Sequence, residues 1–394
     1  MIHSKKLRFG AALAALSGLA AATQVSAAGP AHPPLTGPYC SGGVGVSGPG
    51  STAQINAIPG FDGVLAGGGE QDLLLNTVPG CAESVTDTGG GSGVGVASQA
   101  GRTAPIGFTD LPLNAETQAT VTAGGGTNAS LVNTVPVAVL PVSVIVNLSC
   151  YSGNVKLSSP EIAKLYDGVI KTWDNALLNV DNPGIKTSCA GVPVHLTARS
   201  DVSGTTYVFK TYLARRNPEF AALKQDPVNT AWLGAIVCRG NGNGGEISCV
   251  SGTPDSIGYA ATSNARNAGA REAAVDNLAH SFSTWSPGAC SLAALTAPIP
   301  PTTLGNWSAS DFADAPVGYG ICGYTYALVL ALQKTAFSHN PSLSSPAITQ
   351  TLVDYLTAAT STRGQASLPT SQYDKLPLPT EKIAQGAPYL IAYK

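Results

Sequence analysis

The order of apolar and polar positions along the chain predicts strands alternating with helices. Residues 136–148, PVAVLPVSVIVNL, form a continuous β-branched apolar run, the pattern of a strand buried on both faces. Residues 158–173, SSPEIAKLYDGVIKTW, place Ser159 as an N-cap, Pro160 at the first helical position, and Ile162, Leu165 and Ile170 along one side, so a helix is predicted there. Residues 192–198, VPVHLTA, alternate as a strand does; the TTYVFKTYLARR that follows after a short polar interval carries Val208, Phe209, Tyr212 and Leu213 on one side of a helix. SIGYAAT and GYGICGYTYALVLAL supply later strand and helix material, and ITQTLVDYLTAAT, residues 348–360, a further helix. This alternation predicts an α/β protein with a largely parallel sheet. No repeat of fixed period is present.

Length and composition refine this picture. At 394 residues the chain exceeds one ordinary core, and two domains or lobes are expected. Only 11% of residues are charged, 21 Lys and Arg against 23 Asp and Glu, so no basic face points to nucleic acid. The N-terminus reads as a secretory leader: MIHSKKLRFG is basic, AALAALSGLAAA is a short apolar core, and TQVSAAG offers small residues for cleavage after Ala27 or Ala28. The apolar core is shorter than the roughly 20 residues of a membrane span. A soluble periplasmic or secreted protein is therefore expected.

The eight cysteines read as up to four disulfides in such a compartment. Zinc spacing is lacking, and no metal or cofactor is expected. Cys238 and Cys249 flank RGNGNGGEIS, whose Asn-Gly and Gly-Gly steps suit a hairpin turn, so this pair is predicted to bridge. Cys40 with Cys81, Cys150 with Cys189 and Cys290 with Cys322 are the pairings assumed for the rest, which spacing alone does not determine.

Familiar catalytic motifs are missing. GVGVSG, residues 43–48, satisfies G-x-G-x-x-G but lacks the strand and helix a dinucleotide site requires on either side. No phosphate-binding nucleotide loop and no G-x-S-x-G elbow occurs, and no histidine stands beside a candidate nucleophile. Three stretches share a different chemistry: PGSTAQ (49–54), GGGSGVGVASQAG (89–101) and RSDVSGTTYVF (199–209) each set hydroxyls where a helix could begin. Such a position either caps the helix or captures an anion, because the first turn exposes unpaired N–H groups and a partial positive charge. Arg199 stands immediately before one of them, with Asp201 placed to hold its guanidinium. IGFTDLPLN adds Asp110, a carboxylate in an apolar turn. Beside an anion it would repel, unless the ligand brings a proton for it to accept, as monohydrogen phosphate does and sulfate does not.

In order and context, GGGSGVGVASQAGRTAPIGFTDLPLN, KLSSPEIAKLYDGVIKTWDN, ARSDVSGTTYVFKTYL, GTPDSIGYAAT and GYGICGYTYAL resemble the periplasmic phosphate-binding proteins of ABC transporters and the related DING phosphate-binding proteins, from about Gly50 to the C-terminal PLPTEKIAQGAPYL. The resemblance implies a two-lobed α/β fold of the periplasmic-binding-protein type II class, with the ligand in the cleft between lobes. It divides the chain into a leader (1–27), a first lobe (28–140 and 317–394) and a second lobe (141–316). It further implies that Thr52, the backbone of Ala53, and Ser92 contact phosphate from the first lobe, that Asp110 accepts the ligand proton, and that Arg199 makes the charged contact, oriented by Asp201. Ser203, Gly204 and Thr205 would donate from the second lobe. Ala53 stands where the family usually has a bulky aromatic residue. The implied function is binding of inorganic phosphate by a monomer that catalyses no reaction and delivers the ligand to a transporter permease. A secreted adhesion protein on the same fold, or a binder of another tetrahedral oxyanion, are the rival readings.

Overall fold

The computed structural model describes residues 42–58, 82–124, 128–221, 231–296 and 304–394. The leader, and the Cys40 to Cys81 pairing, lie outside the described residues. Ten strands are described: β1 (Gly45–Gly50), β2 (Ser84–Gly90), β3 (Gly107–Thr109), β4 (Val132–Asn147), β5 (Lys156–Leu157), β6 (His195–Arg199), β7 (Ile236–Gly240), β8 (Ser256–Ala261), β9 (Glu272–Val275) and β10 (Cys322–Leu330). The helices of eight residues or more are α1 (Ser92–Ala100), α2 (Ala115–Ala123), α3 (Ser159–Tyr166), α4 (Gly204–Arg216), α5 (Gly242–Gly252) and α6 (Pro346–Thr360).

β4 organises the molecule. It is buried along all but its last residue, as its unbroken apolar run predicts, and it changes partner halfway. Residues Val132 to Pro141 pair antiparallel with β10, and Val142 to Asn147 pair antiparallel with β8. The exchange falls at Pro141, which has no N–H to give to a ladder. β3 extends the first half of the sheet beyond β10, while β6 and β7 extend the second half beyond β8, in the order β3, β10, β4, β8, β6, β7. β1 and β2 form a separate parallel pair.

The largely parallel sheet expected from the sequence is therefore wrong for the centre. β1 with β2, β6 with β7 and with β8, and β5 with β9 are parallel, but every pairing made by β4 and β10 is antiparallel. The alternation of element types describes local connections; the centre is made by strands that meet across nearly 200 residues, from Val132 to Leu330.

The helices also sharpen the sequence reading. In α3 the N-cap is Ser158 rather than Ser159, in a capping box with Glu161, and the helix ends at Tyr166 instead of running to residue 173. Gly168, at φ 79°, adopts the left-handed conformation that closes such an end. α4 buries Val208, Phe209, Tyr212 and Leu213 as predicted, and also Thr206, Lys210 and Thr211. The helix is thus covered nearly all round; Phe209 stacks on Tyr259 with ring centroids 4.4 Å apart.

Three disulfides join Cys150 to Cys189, Cys238 to Cys249 and Cys290 to Cys322, with Cα separations of 5.2, 5.6 and 5.6 Å. The pairings match expectation, but Cys238 and Cys249 do not flank a hairpin. The Gly-rich interval turns strand β7 into helix α5, and the bridge clamps the strand to the helix that follows it.

Candidate functional site

The candidate residues meet where the ends of β1, β3 and β6 approach the first turns of α1, α4 and α5. Asp110 follows β3 directly and is 1% exposed. Its carboxylate accepts hydrogen bonds from Ser51 (2.6 Å, to Oδ2), Thr325 (2.7 Å, to Oδ1) and Thr205 (3.4 Å, to Oδ2). Its backbone N–H donates to Ser92 Oγ at 3.0 Å. Gly204 packs against it so closely that an added Cβ would sit 2.6 Å from the Cβ of Asp110, so the start of α4 can approach the carboxylate only as glycine. Burial pushes the Asp110 carboxyl up, against the lowering effect of the Ser51 and Thr325 hydroxyls and of Arg199.

Thr325 owes its position to a bulge. The register of β10 against β4 shifts between Thr325 and Tyr326, so that Val137 is left between the partners Pro136 and Ala138. Such a bulge re-aims the side chain beside it. Thr325 in turn accepts from Gln54 Nε2 at 2.6 Å, and Ser51 accepts from the N–H of Ala53 at 3.1 Å. Donors on both flanks thus leave these two hydroxyls their protons for Asp110.

Arg199, the last residue of β6, is 2% exposed. It forms a two-pronged pair with Asp201, Nε to Oδ1 at 2.7 Å and Nη2 to Oδ2 at 2.5 Å. Its Nη1 is buried without a hydrogen-bond partner. A buried guanidinium nitrogen left this way is costly, and it is a ready donor for an anion. The first turns of two helices open beside it. Gly91, at φ 96°, is the N-cap of α1, and a Cβ there would overlap Asp201 Oδ2. The N–H of Gly93 in that first turn donates to Val202 O at 3.0 Å, which draws α1 up to the turn that precedes α4. Ser203 caps α4 by accepting from the N–H of Thr206 at 3.1 Å. Gly204 and Thr205 follow as first-turn positions whose N–H groups have no carbonyl partner inside the helix.

All nine candidates, Thr52, Ala53, Ser92, Asp110, Arg199, Asp201, Ser203, Gly204 and Thr205, therefore fall in one contiguous region. Their assignments shift in detail. The hydroxyl that reaches Asp110 is that of Ser51, while Thr52 Oγ1 accepts from both the N–H and the Nδ2 of Asn243, each at 3.0 Å. Ser92 and Ser203 serve the backbone with their side-chain oxygens. Ser51, Thr325, Gln54 and Asn243 were not singled out from the sequence. A polar residue inside the apolar run of β10 is the available signal for Thr325; the Asn-Gly steps around Asn243 signal only a turn.

Glu246 on α5 is a further buried carboxylate near the arginine. It accepts from Thr197 Oγ1 at 2.5 Å. Burial pushes its carboxyl up to about 7, offset in part by the Thr197 hydroxyl and by Arg199. Between the ordinary value of 4.5 and about 7 the folded protein holds a proton that the unfolded chain has released, so stability falls as pH rises through that window. Glu246→Gln keeps the side chain neutral at every pH. It is expected to raise the melting temperature by at least about 2 °C at pH 8 and to leave it unchanged near pH 4, as thermal unfolding at the two values will read.

Among the described residues no group of three or more His, Cys, Asp or Glu side chains could hold a metal ion, and no helix is long and apolar enough to cross a membrane.

The fold as a whole has counterparts among known proteins. The family model of the PBP superfamily domain matches residues 76–330, more than half of the chain. The chain belongs to the PBP superfamily. Its fold is the two-lobed α/β fold of the type II periplasmic binding proteins. This PBP chain is 30% identical over 228 residues to phosphate-binding protein PstS 3 of Mycobacterium tuberculosis, an alignment covering 56% of this chain and 54% of that protein. The chain thus spans about half the length of the relatives from Mycobacterium tuberculosis and Mycobacterium bovis that it matches. It is 28% identical over 278 residues to phosphate-binding protein PstS of Methanocaldococcus jannaschii, covering 68% of this chain and 69% of the relative. Among solved structures, PfluDING, a high-affinity periplasmic phosphate-binding protein bound with phosphate, superposes with a TM-score of 0.61 at 20% identity, covering 86% of this chain and 92% of that one. A phosphate-binding protein from Stenotrophomonas maltophilia superposes with a TM-score of 0.60 at 15% identity, covering 87% and 93%. At these identities the structural likeness speaks for the PBP fold.

Proposed function

We propose that the protein is an extracytoplasmic binding protein for inorganic phosphate and catalyses no reaction. The observation that carries this reading is the pairing of two buried groups with opposite needs. Arg199 holds an unpartnered Nη1 donor, and Asp110 offers an acceptor beside it. A carboxylate has about four lone-pair sites, and three at Asp110 are filled by Ser51, Thr325 and Thr205. One remains. A ligand with one proton and several bare oxygens matches this set: its hydroxyl donates to Asp110, and its oxyanions receive Arg199 and the first-turn N–H groups of α1 and α4. Monohydrogen phosphate has that composition.

In this reading Thr52, the backbone of Ala53, Ser92, Asp110, Arg199, Ser203, Gly204 and Thr205 surround the ligand and Asp201 braces the arginine. The lobes are 28–140 with 317–394, and 141–316, a division supported by the change of partner along β4 between Pro141 and Val142. The names of the PstS relatives support the ligand class. Three disulfides support an oxidising compartment. Closure of the lobes around phosphate would present a composite surface to a transporter permease.

Equilibrium titration of the purified mature protein with inorganic phosphate and with sulfate tests the proposal. Binding of phosphate at micromolar or lower concentration, with sulfate at least about a thousandfold weaker, is expected. No phosphate binding in that range would overturn the reading.

A further inference from the structure

We propose that Asn243 is a positioning residue that turns the Thr52 hydroxyl into a pure hydrogen-bond donor toward the ligand, and that the same contact latches the cleft. The inference rests on the phosphate reading and deepens it.

A threonine hydroxyl carries one donor and two acceptor lone pairs. Both lone pairs of Thr52 Oγ1 are taken by Asn243, one by its backbone N–H and one by its Nδ2, each at 3.0 Å. Only donation remains. The orientation of the Asn243 amide is itself dictated, because its Oδ1 accepts the backbone N–H of Ala261 at 2.9 Å, which leaves Nδ2 for Thr52. The side chain is fully buried and sits in the first turn of α5, where its N–H has no carbonyl partner inside the helix. The Cys238 to Cys249 bridge clamps that helix to β7.

Thr52 follows β1, whereas Asn243 belongs to the β6, β7, β8 end of the other sheet, so the contact spans from one half of the molecule to the other. It lies next to the charged centre: the N–H of Gly242 donates to Asp201 Oδ1 at 3.0 Å. The consequence for recognition is an orientation. Asp110 can take only an oxygen that carries a proton, and Thr52, held by Asn243, can only donate, most strongly to a bare, charged oxygen. Together they favour one orientation of monohydrogen phosphate.

A double-mutant cycle with inorganic phosphate tests this. Thr52→Val and Asn243→Ala are each expected to weaken phosphate affinity roughly ten- to hundredfold by calorimetry, the size of a hydrogen bond to a charged group. If Asn243 acts through Thr52, the double variant binds no more weakly than Thr52→Val alone. Losses that multiply would overturn the proposal, as would wild-type affinity in Asn243→Ala. Asn243→Asp is the second variant, for it keeps the bond to the Ala261 N–H but offers Thr52 an acceptor in place of a donor. It is expected to lose at least as much affinity as Asn243→Ala; affinity equal to wild type would overturn the assignment. Failure of the wild-type protein to bind phosphate is a separate result that removes the ligand reading, and this inference with it.

Discussion

Arg199→Ala is expected to abolish phosphate binding in the micromolar range. The arginine is the cation that the structure buries beside Asp110, and a truncated partner in a buried, hydrogen-bonded charge contact costs about 2–5 kcal/mol, roughly thirtyfold to several thousandfold in affinity. The upper part of that range applies here for a geometric reason. Nε and Nη2 are committed to Asp201, so the whole of the remaining Nη1 edge is available to the ligand, and among the described residues no basic side chain besides Arg199 pairs with Asp201. Removal also leaves Asp201 as an uncompensated negative charge next to the anion. The fold should survive, because Asp201 keeps the Gly242 N–H and Ser203 still caps α4. Arg199→Lys keeps the charge but cannot hold Asp201 with two parallel bonds, and should fall between wild type and the alanine variant. Calorimetric titration with inorganic phosphate reads all three; retained affinity in Arg199→Ala would show that the anion lies elsewhere.

What could be read from the sequence follows the range over which each feature is decided. β4 and α4 were legible because burial on both faces and helical spacing are local patterns, and both elements carry them. The Arg199, Asp201 and Ser203 to Thr205 cluster was legible for the same reason: the pair, the cap and the open first turn are made within the eight consecutive residues from Arg199 to Thr206. The antiparallel centre was not, since the residues of β4 and β10 that pair lie up to nearly 200 positions apart. The partners of Asp110 are likewise set at long range. Ser51 and Thr325 reach it from 59 and 215 positions away, and Asn243 reaches Thr52 across 191. The hydroxyl of Thr325 is aimed by a bulge that no local pattern announces. Cys238 and Cys249 show that a correct pairing can rest on a mistaken turn, because closeness in sequence brings cysteines together whether the intervening glycines make a hairpin or start a helix.

The contrast between phosphate and sulfate isolates Asp110. In the wild-type site a ligand without a proton faces a buried carboxylate whose remaining lone pair meets only oxygen lone pairs, and a site built to hydrogen-bond a hydroxyl rejects an analogue lacking it by about 10⁴- to 10⁵-fold. Asp110→Asn replaces one oxygen with a donor. Sulfate then finds a hydrogen bond where it met repulsion, and the preference for phosphate is expected to fall to within about tenfold in competition titrations; an unchanged preference would reject the role assigned to Asp110. The pH dependence supplies a second reading of the same group. Burial raises the Asp110 carboxyl above its ordinary value of 3.8, so its neutral form is reached at milder acidity than for an exposed aspartate. A neutral Asp110 can donate to a bare oxygen. Sulfate affinity of the wild-type protein should therefore climb as pH falls through that titration, while sulfate affinity of Asp110→Asn, which has no proton to gain at this position and keeps only the contribution of neighbouring carboxylates such as Glu246, should climb less steeply over the same range. Parallel slopes in the two proteins would mean that another group governs discrimination.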